Sequence, residues 1–183
     1  VRLPNVFTVL ADVGAAFLLV GGGAAPVSRF VVILLAGVSL YWAGMILNDV
    51  FDVEKDTAER AERPIPSGAI SKSAASRAGW GLMIVGVVLA SLSGFLPLGA
   101  DAGVTGVPET TWVPVVIAIA LAVLVVGYDG PLKSTPLAPA AMGGCRVLSF
   151  LLGASPLLSV TDGLPEVPRY VLAIAFGFGV YVM

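Results

Sequence analysis

Histidine is absent from all 183 residues. Its absence excludes haem ligation by imidazole, His-containing zinc sites and every Ser-His-Asp or Cys-His nucleophilic mechanism. A single cysteine, Cys145, excludes an intramolecular disulfide; it stands in an apolar stretch and is expected to be a buried, inert thiol. Charge is scarce too. Only 12% of residues are charged, against about 25% in soluble domains. The net charge is −2 and no basic patch interleaved with aromatics occurs, so nucleic acid is not an expected partner. No basic segment precedes a short apolar core at the N-terminus, so no cleavable signal peptide is expected.

What is present is apolar: 57% of residues are hydrophobic and the mean hydropathy is +0.97. Such a chain cannot cover a globule with polar surface, so its solvent must be lipid. A membrane-crossing helix needs about 20 mostly apolar residues. The sequence offers six such runs, at about 5–22, 29–50, 75–98, 111–128, 137–158 and from about 168 onward. The runs are long and do not alternate, which disfavours membrane-spanning strands. The expected fold is all-α, a polytopic transmembrane bundle of six helices forming one domain over 1–183. The chain opens on Val1 and stops inside an apolar run at Met183; a C-terminally truncated domain is the expectation.

Glycine and proline punctuate the connections. The longest charged one, 51–74, is expected to prolong the second helix and then break at Arg63-Pro64-Ile65-Pro66-Ser67-Gly68, because each proline forces its predecessor into extended geometry. Ser71 is placed to cap the next helix. With alternating helices, Arg2, Lys55, Arg60, Arg63, Lys72, Arg77 and Lys133 fall on one side, and Arg29 and Arg169 on the other. Basic residues favour the cytoplasmic side. A multi-pass protein of a bacterial inner membrane is expected, with the 51–74 loop cytoplasmic.

The chemistry concentrates in Asn48-Asp49-Val50-Phe51-Asp52-Val53-Glu54-Lys55-Asp56, which follows an uncharged apolar run. Steps of three and four residues bring Asp49, Asp52 and Asp56 within roughly 60° of arc on one helical face. Carboxylates crowded at a membrane boundary repel and are costly to desolvate. A divalent cation removes that penalty. Oxygen-only ligands select a hard ion, and Mg²⁺ typically brings substrate phosphates with it. Arg60 lies one turn beyond Asp56 and Arg63 follows at the break; guanidinium forks suit phosphate oxygens. Lys133, in Tyr128-Asp129-Gly130-Pro131-Leu132-Lys133, sits in a short loop on the same side. Arg146 stands within the fifth helix, where an arginine must face the bundle interior or water and find a partner such as Asp12. Asn5 and Asp12 share a face of the first helix. Tyr41 and Trp42 precede Asp49 by about two turns and are candidates to line an apolar tunnel. Gly79, Gly81 and Gly86 are expected to let helices approach closely; Trp80 and Trp112 read as interfacial or packing aromatics.

Asn48-Asp49-x-x-Asp52-x-x-x-Asp56, followed by Arg63-Pro64-Ile65-Pro66-Ser67-Gly68, resembles the first signature of the UbiA superfamily of intramembrane prenyltransferases. Arg2-Leu3-Pro4-Asn5 is similar to the family's first-helix start. Tyr128 to Lys133 resembles its Tyr/Lys element, with four intervening residues where three are common. Gly143 to Gly153 looks closer to the EboC-like branch. The resemblance implies nine transmembrane helices in a full-length member, two aspartate-rich motifs and Mg²⁺. It also implies an isoprenyl diphosphate donor, an electron-rich aromatic or lipid-like acceptor, and membrane lipid as surroundings. Asp49, Asp52 and Asp56 would hold Mg²⁺ with Asn48 in support. Arg63, Lys133 and, less directly, Arg60, Tyr128, Arg146 and Asn5 would contact substrate. The second aspartate motif is not among these residues, so this chain alone is expected to be inactive.

Two other readings compete. A CDP-alcohol phosphotransferase also uses membrane-boundary aspartates, but needs Asp-Gly-x-x-Ala-Arg, which Asp129-Gly130-Pro131-Leu132-Lys133 does not supply. A cation-binding transporter would use three carboxylates and an intramembrane arginine, but has no need of the bases around the aspartates.

Overall fold

The computed structural model describes residues 4–98 and 106–182, with side chains from Val6 onward in the first helix. Seven α-helices form: α1 Pro4–Gly21, α2 Val27–Phe51, α3 Val53–Glu59, α4 Lys72–Phe95, α5 Val113–Gly127, α6 Ala138–Ala154 and α7 Arg169–Val182. Six match the apolar runs. The seventh, α3, is the expected prolongation of the second helix, set off by a kink. At the kink Asp52 adopts φ −82° and ψ 2°, while its amide still bonds the Asn48 carbonyl at 3.0 Å. The helical ladder therefore survives a change of direction.

Four helical stretches, Val27–Phe51, Lys72–Phe95, Val113–Leu132 and Ala138–Leu157, are long and apolar enough to cross a membrane. Their outward faces carry exposed Val31, Leu35, Ile84, Val88, Ile119 and Val123, as lipid requires. The chain is an integral membrane protein. Trp80 and Trp112 lie on this outer surface, and so does Trp42, which therefore does not line the interior as expected. Ser71 caps α4 as expected: its Oγ accepts from the Ala74 amide at 3.3 Å.

Helix α2 is the central element and packs against α1, α4, α5 and α6. Its buried row includes Ile33, Ala36, Leu40, Ala43 and Leu47. Against it, α4 presents Gly86 to Leu40 and Gly79 to Leu47. Gly81, expected on the same packing face, meets nothing within 4 Å and points away. Helix α6 approaches α1 so closely that a Cβ on Gly153 would collide with the Val13 backbone. Gly153→Ala is therefore expected to pry α1 from α6 and cost about 1–3 kcal/mol, measurable as a lowered thermal midpoint in detergent.

Between α6 and α7 lies a two-stranded hairpin that the apolar runs did not announce, β1 Val160–Thr161 and β2 Leu164–Pro165. Asp162 and Gly163 turn it with φ 52° and 76°, the paired positive angles that tight hairpins need.

One residue ties the end of the bundle opposite the aspartates. Arg29 is fully buried. Its Nε donates to the Leu96 carbonyl at 3.0 Å, its Nη1 to those of Pro108 and Pro156 at 2.9 Å each, and its Nη2 to that of Glu109. No carboxylate pairs with it among the described residues. Leu96 and Pro156 close the C-terminal ends of α4 and α6, where the helix dipoles gather negative charge. Counted at sequence level as a loop charge, Arg29 is instead an internal clamp.

Candidate functional site

The face carrying Asn48, Asp49, Asp52 and Asp56 begins on the last turn of α2 and continues onto α3. Asp56 is buried and Asp52 is partly covered, while half of the Asp49 side chain is exposed. Two bases return to this face from distant positions.

The first is Arg63. After α3 the chain folds into consecutive turns, with the Ser67 amide on the Arg63 carbonyl at 2.9 Å and the Ile70 amide on that of Pro64 at 2.9 Å. Gly68 supplies the required positive φ of 78°. These turns aim the guanidinium back at the helix. Arg63 Nη1 donates to Asp56 Oδ2 at 2.5 Å and lies 3.5 Å from Asp49 Oδ1. The Asp56 hydrogen bond, outweighing desolvation, and the charges of Asp56, Asp49 and Asp52 hold the guanidinium above its ordinary pKa.

The second is Lys133. Helix α5 ends in a π-helical turn, Tyr128–Leu132, with Pro131 inside it. Wide turns of this kind are frequent at functional sites. This one carries Lys133 over α2, where its Nζ donates to Asp52 Oδ2 at 2.5 Å and to Asn48 Oδ1 at 2.8 Å. Residues more than 80 apart in sequence thus meet. Tyr128 stays nearby, its hydroxyl 3.9 Å from Met142 Sδ. Arg60 is exposed and makes no ion pair among the described residues.

A cavity of about 390 Å³ opens among α1, α2, α5, α6 and the end of α7. Tyr41 and Leu40 line it two turns before Asp49, and Val125 lines it just before the π turn. The wall is otherwise mostly apolar and includes Cys145, which is half-buried rather than sealed in the core. Arg146 reaches the cavity from α6 and pairs with buried Asp12 of α1, Nη1 to Oδ2 at 2.8 Å. Its Nε is buried and has no hydrogen-bond partner among the described residues. The Asn5 side chain lies outside the described residues.

Sequence reasoning passed over one acid of this layer. Asp129 was named only as part of the Tyr/Lys element, yet it is 7% exposed and faces the charges of Lys133, Asp52 and Asp49. Its position four residues before Lys133 was the available signal.

The donor set is all oxygen, from aspartates and an asparagine carbonyl, and suits a hard divalent ion. Among the described residues no three acidic side chains converge to cage an ion unaided. Mg²⁺ commonly binds through one or two carboxylates and completes its shell with phosphate and water. The layer fits that mode, with Arg63 and Lys133 now neutralising the carboxylates that an ion would take.

Comparisons with known proteins bear on the family and the fold. Digeranylgeranylglyceryl phosphate synthase of Methanoregula boonei is 35% identical over 127 residues, covering 68% of this chain and 39% of that protein. The enzyme of the same name from Methanobrevibacter smithii is 34% identical over 147 residues, covering 77% and 46%. In Metallosphaera sedula 53 residues are 51% identical. The chain thus spans less than half the length of these relatives. A solved structure, described as giving insights into digeranylgeranylglyceryl phosphate synthase in membranes, superposes with a TM-score of 0.77 at 20% identity. It covers 99% of this chain and 56% of that one; at that identity it supports the fold alone. The model of the UbiA prenyltransferase family matches residues 6–183, and the chain belongs to that family.

Proposed function

We propose that this chain forms the donor half of an intramembrane prenyltransferase. The reaction moves an isoprenyl group from an isoprenyl diphosphate to a lipid-like or aromatic acceptor, with Mg²⁺ as cofactor. One observation carries the reading: three aspartates and two bases from separate elements meet about two helical turns beyond the part of α2 that lines a mostly apolar cavity. Each base is placed to act as a phosphate ligand beside carboxylates that would hold a cation.

In this mechanism Asp49, Asp52 and Asp56, with Asn48, would hold the cation. Mg²⁺ when bound draws charge from the leaving diphosphate. Arg63 turns from Asp56 and Asp49 to the phosphate oxygens, and its fork matches them two at a time. Lys133 leaves Asp52 and adds a point charge. The isoprenyl tail lies in the cavity beside Tyr41, Leu40 and Val125, where apolar walls exclude water from the allylic centre. Tyr128 stands beside the tail's entry. Arg146, on the cavity wall, meets the acceptor; Arg60 and Asn5 contribute at the rim. The relatives bear the name of a glycerol-phosphate lipid synthase, which favours a lipid-like acceptor over an aromatic one. With Arg29 set aside as an internal clamp, seven bases against one favour the aspartate side as cytoplasmic. This topology suits any cytoplasmic membrane. Turnover by these 183 residues alone is not expected, because the family's second aspartate-rich motif is not among them.

The test is binding of geranylgeranyl diphosphate to the chain in lipid nanodiscs, by calorimetry, with Mg²⁺ and then with EDTA. Binding that needs Mg²⁺ and weakens at least about tenfold (~1.4 kcal/mol) in Arg63→Ala is expected. Mg²⁺ binding with no effect on the diphosphate would instead favour a cation-binding or transport role.

A further inference from the structure

Resting on the proposed donor site, we propose that Asn48 is the positioning residue of Lys133: its side-chain carbonyl, together with the Asp52 carboxylate, fixes where the ammonium meets a diphosphate.

The ammonium is gripped at two points. Lys133 Nζ donates to Asn48 Oδ1 at 2.8 Å and to Asp52 Oδ2 at 2.5 Å. One acceptor lies on the last turn of α2 and the other at its C-cap, four residues on, so both share a side of the helix. The Asp52 amide keeps its bond to the Asn48 main-chain carbonyl, so the kink leaves the spacing of the two side chains intact. The lysine end is fixed as well. The Thr135 amide and hydroxyl both return to the Leu132 carbonyl, at 3.0 and 2.8 Å. Between these fixed ends lies a flexible four-carbon stem.

An ion pair alone would hold that stem poorly. The Lys133 side chain is 35% exposed and that of Asp52 21%; pairs this open are weak, and a lysine gives up much side-chain freedom to keep one geometry. Asp49 stands beside Asn48 in the chain with half of its side chain exposed, so charge alone offers the ammonium a choice of carboxylates. Asn48 removes the choice. Its carbonyl adds direction without adding negative charge, whereas another carboxylate there would repel the diphosphate. The contact also fixes the amide's orientation, because its NH₂ end would meet the ammonium donor to donor. An ammonium has three donors and these bonds use two. Arg63 differs: its ion pairs are with Asp56 and Asp49, and its planar fork supplies direction by itself. A point charge needs a neighbour to do so. An amide oxygen accepts two bonds, so this role stands beside support of the cation.

The experiment combines a spectrum with a double-mutant cycle, on the chain in nanodiscs. Its lysines are Lys55, Lys72 and Lys133. With isotope-labelled lysine and no ligand, Asn48→Leu should shift the Lys133 side-chain resonance and leave the other two in place. With Mg²⁺ and geranylgeranyl diphosphate, calorimetry should show binding weakened about 5- to 10-fold in Asn48→Leu and about 10- to 100-fold in Lys133→Met. The double variant should be within about twofold of Lys133→Met, because nothing is left to position. Asn48→Gln, which keeps a carbonyl on the same turn, should bind more tightly than Asn48→Leu. An unmoved Lys133 resonance would overturn the proposal whatever happens to binding. Additive losses in the double variant would overturn it too, and make Asn48 act on the cation or the fold. If Lys133→Met weakens binding and Asn48→Leu does not, the donor site stands and the positioning role alone is wrong. If Lys133→Met binds as the parent does, the donor site itself is wrong and the proposal falls with it.

Discussion

Arg29→Met is expected to be the most destabilising single change in the described bundle. The substitution keeps the apolar stem but removes the donors that reach the carbonyls of Leu96, Pro108, Glu109 and Pro156. A buried carbonyl deprived of its donor costs about 1–3 kcal/mol. Even if water reaches half of them, the loss comes to at least ~2 kcal/mol. The clamp also opposes the negative ends of α4 and α6, so the change costs electrostatic stabilisation as well. Arg29→Lys should fall between, because an ammonium has three donors and no planar fork. Equilibrium unfolding in mixed micelles would rank the three proteins. Equal stability of Arg29→Met and the parent would show that the clamp carries no weight.

Asp52→Asn is expected to have the largest effect on ligand binding: a fall of about 100-fold, or ~2.8 kcal/mol, in Mg²⁺-dependent affinity for geranylgeranyl diphosphate. Asp52 stands at the kink between α2 and α3 and is the carboxylate nearest Lys133. Its amide replacement keeps the shape and can still accept from Lys133, so the fold should survive. It loses the charge that attracts the cation and weakens the group that exchanges Lys133 for it. Circular dichroism should be unchanged while calorimetry loses the signal. Asp162→Asn, on the hairpin beyond α6, provides the control and should bind as the parent does.

The sequence displayed some of this directly and hid the rest for identifiable reasons. Apolar runs located the six long helices, because lipid leaves the backbone no alternative to internal hydrogen bonds. The aspartate spacing located the polar face, because three- and four-residue steps share a side of any helix. The approach of Lys133 to that face followed from alternating topology. The kink at Asp52 did not, since nothing but local geometry produces it. Arg29 looked like a loop charge because its partners are main-chain carbonyls from three other segments, which have no sequence signature. Asp129 was hidden by its own neighbourhood: one acid beside Tyr128 and Lys133 gives no hint of burial until α5 widens into a π turn. Trp42 and Gly81 were misplaced because a helix hydrophobic on all sides does not disclose which side meets lipid.

The most direct test is an experimental structure of the chain in nanodiscs with Mn²⁺ and a thiolo analogue of geranylgeranyl diphosphate, using anomalous scattering or density to find the metal. The expected result places the diphosphate between Asp49, Asp52, Asp56, Arg63 and Lys133, with the tail running into the cavity past Tyr41. A diphosphate bound elsewhere, with those three carboxylates turned from it toward solvent, would contradict the central claim.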